Sequence, residues 1–123
     1  FAHILHQTKN YSTDFNTISA GKYTGPGWMN ITDQEARQMG FVSNYASTET
    51  QEDFVETIAI YVTYTKAQWQ NILNEAGELP KTTKLCKKYI FVGIMLLPYS
   101  NLALSTCRVV ATDLFYSLNN NHE

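Results

Sequence analysis

The sequence predicts a mainly α-helical protein, and three local patterns lead to that prediction. Apolar residues recur at helical spacing in the middle of the chain, at Phe54, Val55, Ile58, Ala59, Tyr61 and Val62. Thr32 and Thr65 are each followed three residues later by Glu or Gln, the pattern of a capping box at a helix start. Gly40 and Gly77 stand where those two helical patterns end. A chain of 123 residues has room for one domain with a modest core.

The start of the chain carries a candidate zinc ligand. It reads F-A-H-I-L-H-Q and opens inside an apolar, helix-like pattern, so we expect a fragment of a longer protein. F-A-H is what remains of H-E-x-x-H, in which two histidines bind zinc and the glutamate is the general base. His3 would be the second histidine, with the first histidine and the glutamate before Phe1. His6 is an alternative ligand at a less typical spacing, and a lone histidine on an apolar helix is more often simply packed.

Residues 9 to 31 predict a loop without regular structure of its own. Asn, Ser, Thr and Gly are frequent there, and G-P-G from Gly25 is a strong turn signal. We expect its aromatic residues, among them Phe15, Tyr23 and Trp28, to be held on the core or on the wall of a cleft. A long aromatic-bearing loop is either a binding surface or an ordered cover of the core. The sequence favours neither alternative.

The chain's densest run of acidic residues, Tyr45 to Glu56, opens the central helix. Thr48 with Gln51, or Thr50 with Asp53, can form a capping box at its start. The helical pattern then continues to about residue 64. A further helix is predicted at residues 66 to 76, with an inner side made of Trp69, Ile72, Leu73 and Ala76.

Two of these acids form a candidate site. Glu52 and Glu56 stand one turn apart on one face of the helix. Acids in a first turn are favoured by the helix dipole, which is sufficient to explain Glu49, Glu52 and Asp53. Glu56 lies past the first turn beside the apolar stripe, so it must be solvated, paired or bound to a cation.

Residues 79–123 differ in character from the rest and form an unassigned segment in which we find no site. The apolar run 89–97 predicts a buried strand or a core helix, and neither it nor the run 102–118 reaches the ~18–20 clean residues that a membrane span needs. Cys86 and Cys107 match no metal-binding spacing, and they either pair in an exported protein or stay buried thiols.

The charge of the chain excludes one class of partner. The formal net charge is -2 and the isoelectric point is about 5.9, so no surface for nucleic acid is expected. The chain has one local basic cluster, which we interpret as a solvated helix face: Lys81, Lys84, Lys87 and Lys88.

Three strings at this spacing resemble a known family: F-A-H-I-L-H-Q, G-F-V-S-N-Y-A from Gly40 and E-D-F-V-E from Glu52. The family comprises zinc-binding metallopeptidases, the surface lipoproteins of gut Bacteroidota that are called substrate-import-associated zinc metallohydrolases. Its pattern is H-E-F-x-H-x-L-H-Q, then G-F-V-S-x-Y-A and E-D-F-A-E. The resemblance covers about residues 1–76, and the tail from Leu79 differs from the family's usual C-terminal region.

The resemblance implies a fold and a zinc site. Residues 1–78 would be the C-terminal helical part of a zincin-like catalytic domain whose sheet portion is missing. His3 and Glu52 would be ligands of a catalytic Zn²⁺. Glu56 would orient a zinc-bound histidine, and Asp53 is the competing carboxylate on the adjacent face. Similarity to the lethal-factor-like zincins, which carry a tyrosine seven residues before the ligand, implies that Tyr45 donates a hydrogen bond to the oxyanion; an ordinary buried aromatic is the alternative.

The implied function is hydrolysis of a peptide or glycopeptide by zinc-activated water. The fragment lacks the first histidine and the catalytic glutamate, so by itself we expect it to bind zinc poorly and to cleave no peptide. The family further implies a lipid-anchored protein outside the inner membrane, near an outer-membrane nutrient-import complex.

Two other interpretations stay open. One is a non-catalytic module with a degenerate metal site that holds a glycan or peptide, which the aromatic loop fits equally well. The other is a purely structural helical domain in which His3 and Glu52 never meet. Zinc–ligand bonds of ~2.0–2.2 Å could not join those two side chains if they lay more than ~8 Å apart.

Overall fold

The computed structural model describes residues 14–77, 81–96 and 107 of the chain. All regular structure within these residues is helical, which confirms the predicted mainly α fold. The α-helices are α1 (Asp14–Ile18), α2 (Asp33–Gln38), α3 (Thr50–Thr63), α4 (Lys66–Ala76) and α5 (Lys81–Leu96), joined by 3-10 helices at Gly25–Asn30 and Tyr45–Ser47. The helix predicted at residues 1 to 8 and the apolar run 102–118 lie outside the described residues, apart from Cys107.

Helices α2 and α4 begin and end where the sequence predicts. The Thr32 hydroxyl accepts from the Glu35 backbone N–H and the Thr65 hydroxyl accepts from that of Gln68, and both capping boxes are complete. Gly40 and Gly77 follow the helix ends with φ of 96° and 106°. These angles lie in the left-handed region that glycine adopts without steric cost.

Helix α3 begins differently from the prediction. Its N-cap is Glu49, which makes no capping hydrogen bond with its side chain, so neither predicted capping box forms. The Thr48 hydroxyl instead donates to the Tyr45 carbonyl at 2.6 Å, within the preceding 3-10 helix. Thr50 is already the first residue of α3, and the Asp53 side chain is fully buried. Tertiary contacts therefore override the local capping signal.

The segment predicted to be an irregular loop contains α1 and a 3-10 helix, so that part of the prediction was wrong. Aromatic residues of this segment pack on the rest of the chain and thereby stabilise its helices. Phe15 is fully buried and packs edge to face on Phe54, with 5.3 Å between the ring centroids. Tyr23 packs on Phe41 at 5.3 Å.

The core lies between α3, α4 and α5. Trp69 of α4 stacks on Tyr89 of α5 with 3.9 Å between centroids, and Tyr61 of α3 packs on the same tyrosine at 4.8 Å. The apolar run from residue 89 is therefore a core helix over its described part, rather than a strand. Burial of this aromatic surface helps to hold α5 against α3 and α4.

Two predictions about α5 are decided by the structure. Lys88 is fully buried, so the interpretation of the whole lysine cluster as a solvated face was wrong at this position. Cys86 forms a disulfide with Cys107, which selects pairing over free thiols. None of the helices in the described part combines the length and apolar character that a membrane crossing needs.

Candidate metal centre

Helix α3 turns one face to the core and an adjacent face outward. Asp53 and Phe54 are 0% and 1% exposed, whereas Glu52 and Glu56 are partly exposed. Because an α-helix turns roughly 100° per residue, Glu52 and Glu56 lie on the same side of α3, next to the buried row. The structure therefore gives Glu56 the partial exposure that a carboxylate beside an apolar stripe requires.

Tyr45 opens the 3-10 helix just before α3 and lies beside this acidic face. The tyrosine is 39% exposed. The pKa of Tyr45 is raised above its usual 10.0, first by the negative charge of Glu52, then by desolvation and by a hydrogen bond to the Glu52 carboxylate. The charges of Glu56 and Glu49 raise the pKa further. The structure thus brings together two predicted site residues, Tyr45 and Glu52.

Hydrogen bonds between the segments that carry Trp28 and Tyr45 hold the two rings in contact. The two rings meet edge to face with 5.1 Å between their centroids. The backbone N–H of Thr24 donates to the Ser47 carbonyl at 2.7 Å, and the Thr24 and Ser47 hydroxyls are 2.8 Å apart. Met29, next to Trp28, is 69% exposed. Within the predicted loop, Trp28 therefore borders the acidic face rather than filling the core.

Asp53 points away from this face, into the core. Its Oδ2 lies 2.8 Å from the Lys88 Nζ and accepts a hydrogen bond from the Tyr23 hydroxyl at 2.8 Å. Burial raises the pKa of the Asp53 carboxyl, and the charge and hydrogen bond of Lys88 oppose that shift. Burial likewise lowers the pKa of Lys88, against the opposing effect of Asp53. The contacts are those of a buried ion pair.

Lys88 and Tyr23 are the partners that sequence reasoning missed. A signal for Lys88 was present, because Leu85, Lys88, Tyr89 and Val92 follow the i, i+3, i+4, i+7 pattern of one helix face. Because Lys88 stands among other lysines in the sequence, it was assigned to the solvated face rather than to this apolar stripe. No comparable pattern marks Tyr23, since its hydroxyl reaches Asp53 only through the tertiary fold.

The described residues supply one candidate zinc donor, Glu52, and not a complete ligand set. Within the described ranges, no three His, Cys, Asp or Glu side chains converge into a group that could hold a metal. The Glu52 carboxylate is a standard zinc donor, and it lies beside Glu56 on the partly exposed face of α3. His3 and His6 lie outside the described residues. The metal-related roles of His3, Glu52, Glu56 and Asp53 therefore stay predictions.

Comparison with known proteins gives this geometry a context. Residues 1–95 match the model of a family described as putative zinc-binding metallo-peptidase. The match extends beyond residue 76, where the resemblance was predicted to fade, and it includes most of α5. No curated protein matches the sequence.

A solved structure is also similar to this chain. It is the crystal structure of a putative zinc-binding metallo-peptidase from Bacteroides caccae, with 40% sequence identity and a TM-score of 0.71. The similarity covers 90% of this chain and 42% of the other, so the chain spans less than half the length of its structural relative. At this identity the shared helical arrangement extends well beyond the motif strings.

Proposed function

This chain belongs to the family of putative zinc-binding metallo-peptidases, and from that premise we propose that it is part of a zinc-dependent peptidase. One observation carries the proposal: the Tyr45 phenol lies at the Glu52 carboxylate, on the face of α3 that also bears Glu56. In a longer parent protein, Glu52 and His3 would hold the zinc together with a histidine that precedes Phe1. Glu56 would orient one of those histidines.

When bound, zinc supplies Lewis-acid chemistry that activates water and polarises a peptide carbonyl. The residues of this chain would do the rest by position. Glu52 offers a carboxylate from a rigid helix, and Glu56 offers a second one turn later. Trp28 packs against Tyr45 and restricts its ring to one side of the acidic face. Such restriction matters because small displacements of a reacting group cost large factors in rate.

Tyr45 would act as the hydrogen-bond donor to the oxyanion of the substrate. A donor must keep its proton at the working pH, and the Tyr45 phenol does so because its usual pKa of 10.0 already lies well above neutral pH and the charge of Glu52 shifts that pKa further upward. The Tyr45 hydroxyl hydrogen-bonds to the Glu52 carboxylate, which supports a donor role close to the proposed ligand. Donors of this kind stabilise charge that develops on a carbonyl oxygen in the transition state.

The test is chelator-sensitive peptide hydrolysis by the parent protein, with all residues that precede Phe1 included. We expect cleavage of an unfolded protein substrate that stops with 1,10-phenanthroline and returns with added zinc. The matched control is Glu49→Gln, at the exposed N-cap residue of α3 and not proposed as a ligand, which should stay active. Cleavage that persists after complete removal of metal would contradict the proposal.

A second function is favoured by the exposed apolar surface beside Tyr45. Trp28 is partly exposed and Met29 is 69% exposed, as in a surface that holds a peptide or glycan. In this alternative the parent binds its ligand without cleaving it. Binding that Trp28→Ala abolishes, in a parent protein that takes up no zinc and cleaves nothing, would favour this function over the peptidase.

The cellular setting is proposed from the family resemblance. We place the parent protein on the cell surface, anchored by lipid and next to an outer-membrane import complex. Peptides or glycopeptides would reach it there before uptake. Accessibility of the parent to protease added to intact cells tests this placement.

A further inference from the structure

One buried ion pair joins four separate parts of the described chain. The Lys88 ammonium on α5 contacts Asp53 on α3 at 2.8 Å and donates to the Gly40 carbonyl at 2.8 Å. It also lies 4.2 Å from the centroid of the Phe41 ring. From the other side, the Tyr23 hydroxyl donates to the Asp53 carboxylate at 2.8 Å. Both charged side chains are fully buried.

These contacts constrain the rotation of α3 about its own axis, and so which of its side chains point to the core. At roughly 100° per residue, Glu52 lies about 100° from Asp53 around the helix axis, and Glu56 lies about 60° from it in the same direction. Holding Asp53 inward therefore holds both glutamates on one side. Hydrogen bonds are directional, so the ion pair adds a directional constraint on rotation to the packing of the apolar residues beside it.

The same pair also anchors the segments that complete the site. Gly40 and Phe41 open the stretch that leads directly to Tyr45. Tyr23 immediately precedes Thr24, whose backbone is bonded to Ser47. The Tyr45 turn and the Trp28 segment are thus each connected, through a short stretch of chain, to a residue that contacts the Asp53–Lys88 pair.

We propose that Asp53 and Lys88 are positioning residues that fix the Glu52–Glu56 face of α3 against Tyr45. Neither side chain touches substrate or metal in this proposal. The zinc consequence rests on the proposed function, but the geometric consequence does not. The competing explanation is an ion pair that contributes stability alone. In proteins generally, apolar side chains of similar volume often replace a buried ion pair without loss of stability, so stability is not a sufficient reason for charges at this position.

The test compares the parent protein with the double variant Asp53→Leu/Lys88→Met, without metal. The probe is the ¹³Cζ resonance of Tyr45, assigned by Tyr45→Phe and recorded at neutral pH. Glu52→Gln should shift this resonance in the parent background, because the phenol rests on that carboxylate. We expect the shift to fall to less than half in the double variant. An unchanged shift in a folded double variant would overturn the proposal.

A second variant covers the case in which the double variant does not fold. Tyr23→Phe removes one hydrogen bond to Asp53 and leaves the ring contact with Phe41 in place. We expect it to fold and to reduce the effect of Glu52→Gln on Tyr45 measurably, and an unaltered effect would count against positioning. Leu73→Ala, a core truncation in α4, is the control for lost stability and should leave the effect intact.

Zinc affinity of the same variants separates this proposal from the proposed function. With zinc as the probe and a chromophoric chelator as competitor, we expect the double variant to bind about tenfold more weakly than the parent, as for other groups that orient metal ligands. If the parent binds no zinc, the proposed function fails while the NMR comparison still decides positioning. If the parent binds zinc and the folded double variant matches it within twofold, positioning fails alone.

Discussion

At the scale of single residues, Tyr45 is the side chain that contacts both the candidate zinc ligand and the aromatic segment beside it. Its hydroxyl hydrogen-bonds to the Glu52 carboxylate, and its ring packs edge to face on Trp28. Similarity to the lethal-factor-like zincins, which carry a tyrosine seven residues before the ligand, pointed to Tyr45. It could not supply Trp28 as the supporting ring, because that contact joins residues far apart in sequence.

Tyr45→Phe tests the assigned role. Loss of one oxyanion donor lowers kcat by about 10²-fold, so we expect a fall of that size in the parent protein, with zinc content unchanged. Tyr64→Phe removes a hydroxyl at the far end of α3 and should leave kcat as it is. A Tyr45→Phe enzyme with undiminished kcat would remove Tyr45 from the mechanism.

Lys88→Met tests the buried ion pair through stability. The Asp53 carboxylate would be left buried without its partner, which costs about 3–5 kcal/mol of unfolding free energy at neutral pH. Burial raises the folded-state pKa of Asp53, and the variant lacks the opposing ammonium. An acid with a raised folded pKa stabilises the fold below its unfolded value, and that contribution is lost as pH rises. Stability of this variant should therefore recover as the pH falls from 7 toward 4.

Denaturant unfolding at several pH values measures this effect. Lys87→Met is the matched control, because Lys87 is the exposed neighbour on the same helix. It should follow the parent at every pH. A Lys88→Met variant whose stability loss is the same at pH 4 and pH 7 would show that an ionised Asp53 is not what destabilises it.

At the scale of helices, the sequence predicted what is local and missed what is tertiary. The caps of α2 and α4 follow from Thr32 and Thr65, since a capping box needs only residues three apart. The start of α3 has equally good local candidates, yet none of them caps it. The apolar pattern of α5 could be read as strand or helix until the aromatic contacts of Tyr89 with α3 and α4 were known.

Gly40, which follows the end of α2, is constrained both by its backbone conformation and by its close approach to α5. It has a φ of 96°, and a Cβ there would meet the Lys84 Cβ at 2.8 Å. Gly40→Ala should therefore destabilise by more than the roughly 1–2 kcal/mol of left-handed strain alone. Gly21→Ala is the matched control, because Gly21 has a φ of 79° and nothing within 4 Å of an added Cβ. Equal melting temperatures for the two variants would show that the close approach to Lys84 is unimportant.

At the scale of the whole molecule, the described helices present one part of a larger centre. The sequence contains no complete H-E-x-x-H motif, and the chain spans 42% of its structural relative. The position of Glu52 and its relation to Tyr45 follow from this chain alone. The distance from Glu52 to a histidine does not, because a zinc site is closed by elements distant in sequence. The sequence therefore offers Glu52 as a candidate ligand but not the complete ligand set, and the role of Glu52 stays a prediction.

The zinc content of the parent protein, measured beside that of its Glu52→Ala variant, is the decisive measurement for Glu52 as a zinc ligand. We predict one zinc per chain in the parent and a sharp loss in the variant, since a catalytic zinc has three protein ligands and Glu52 would supply one of them. Glu49→Ala, at the exposed N-cap residue just before α3, should keep its zinc. Zinc retained at the parent level by a folded Glu52→Ala variant would contradict the assignment of Glu52 as a ligand.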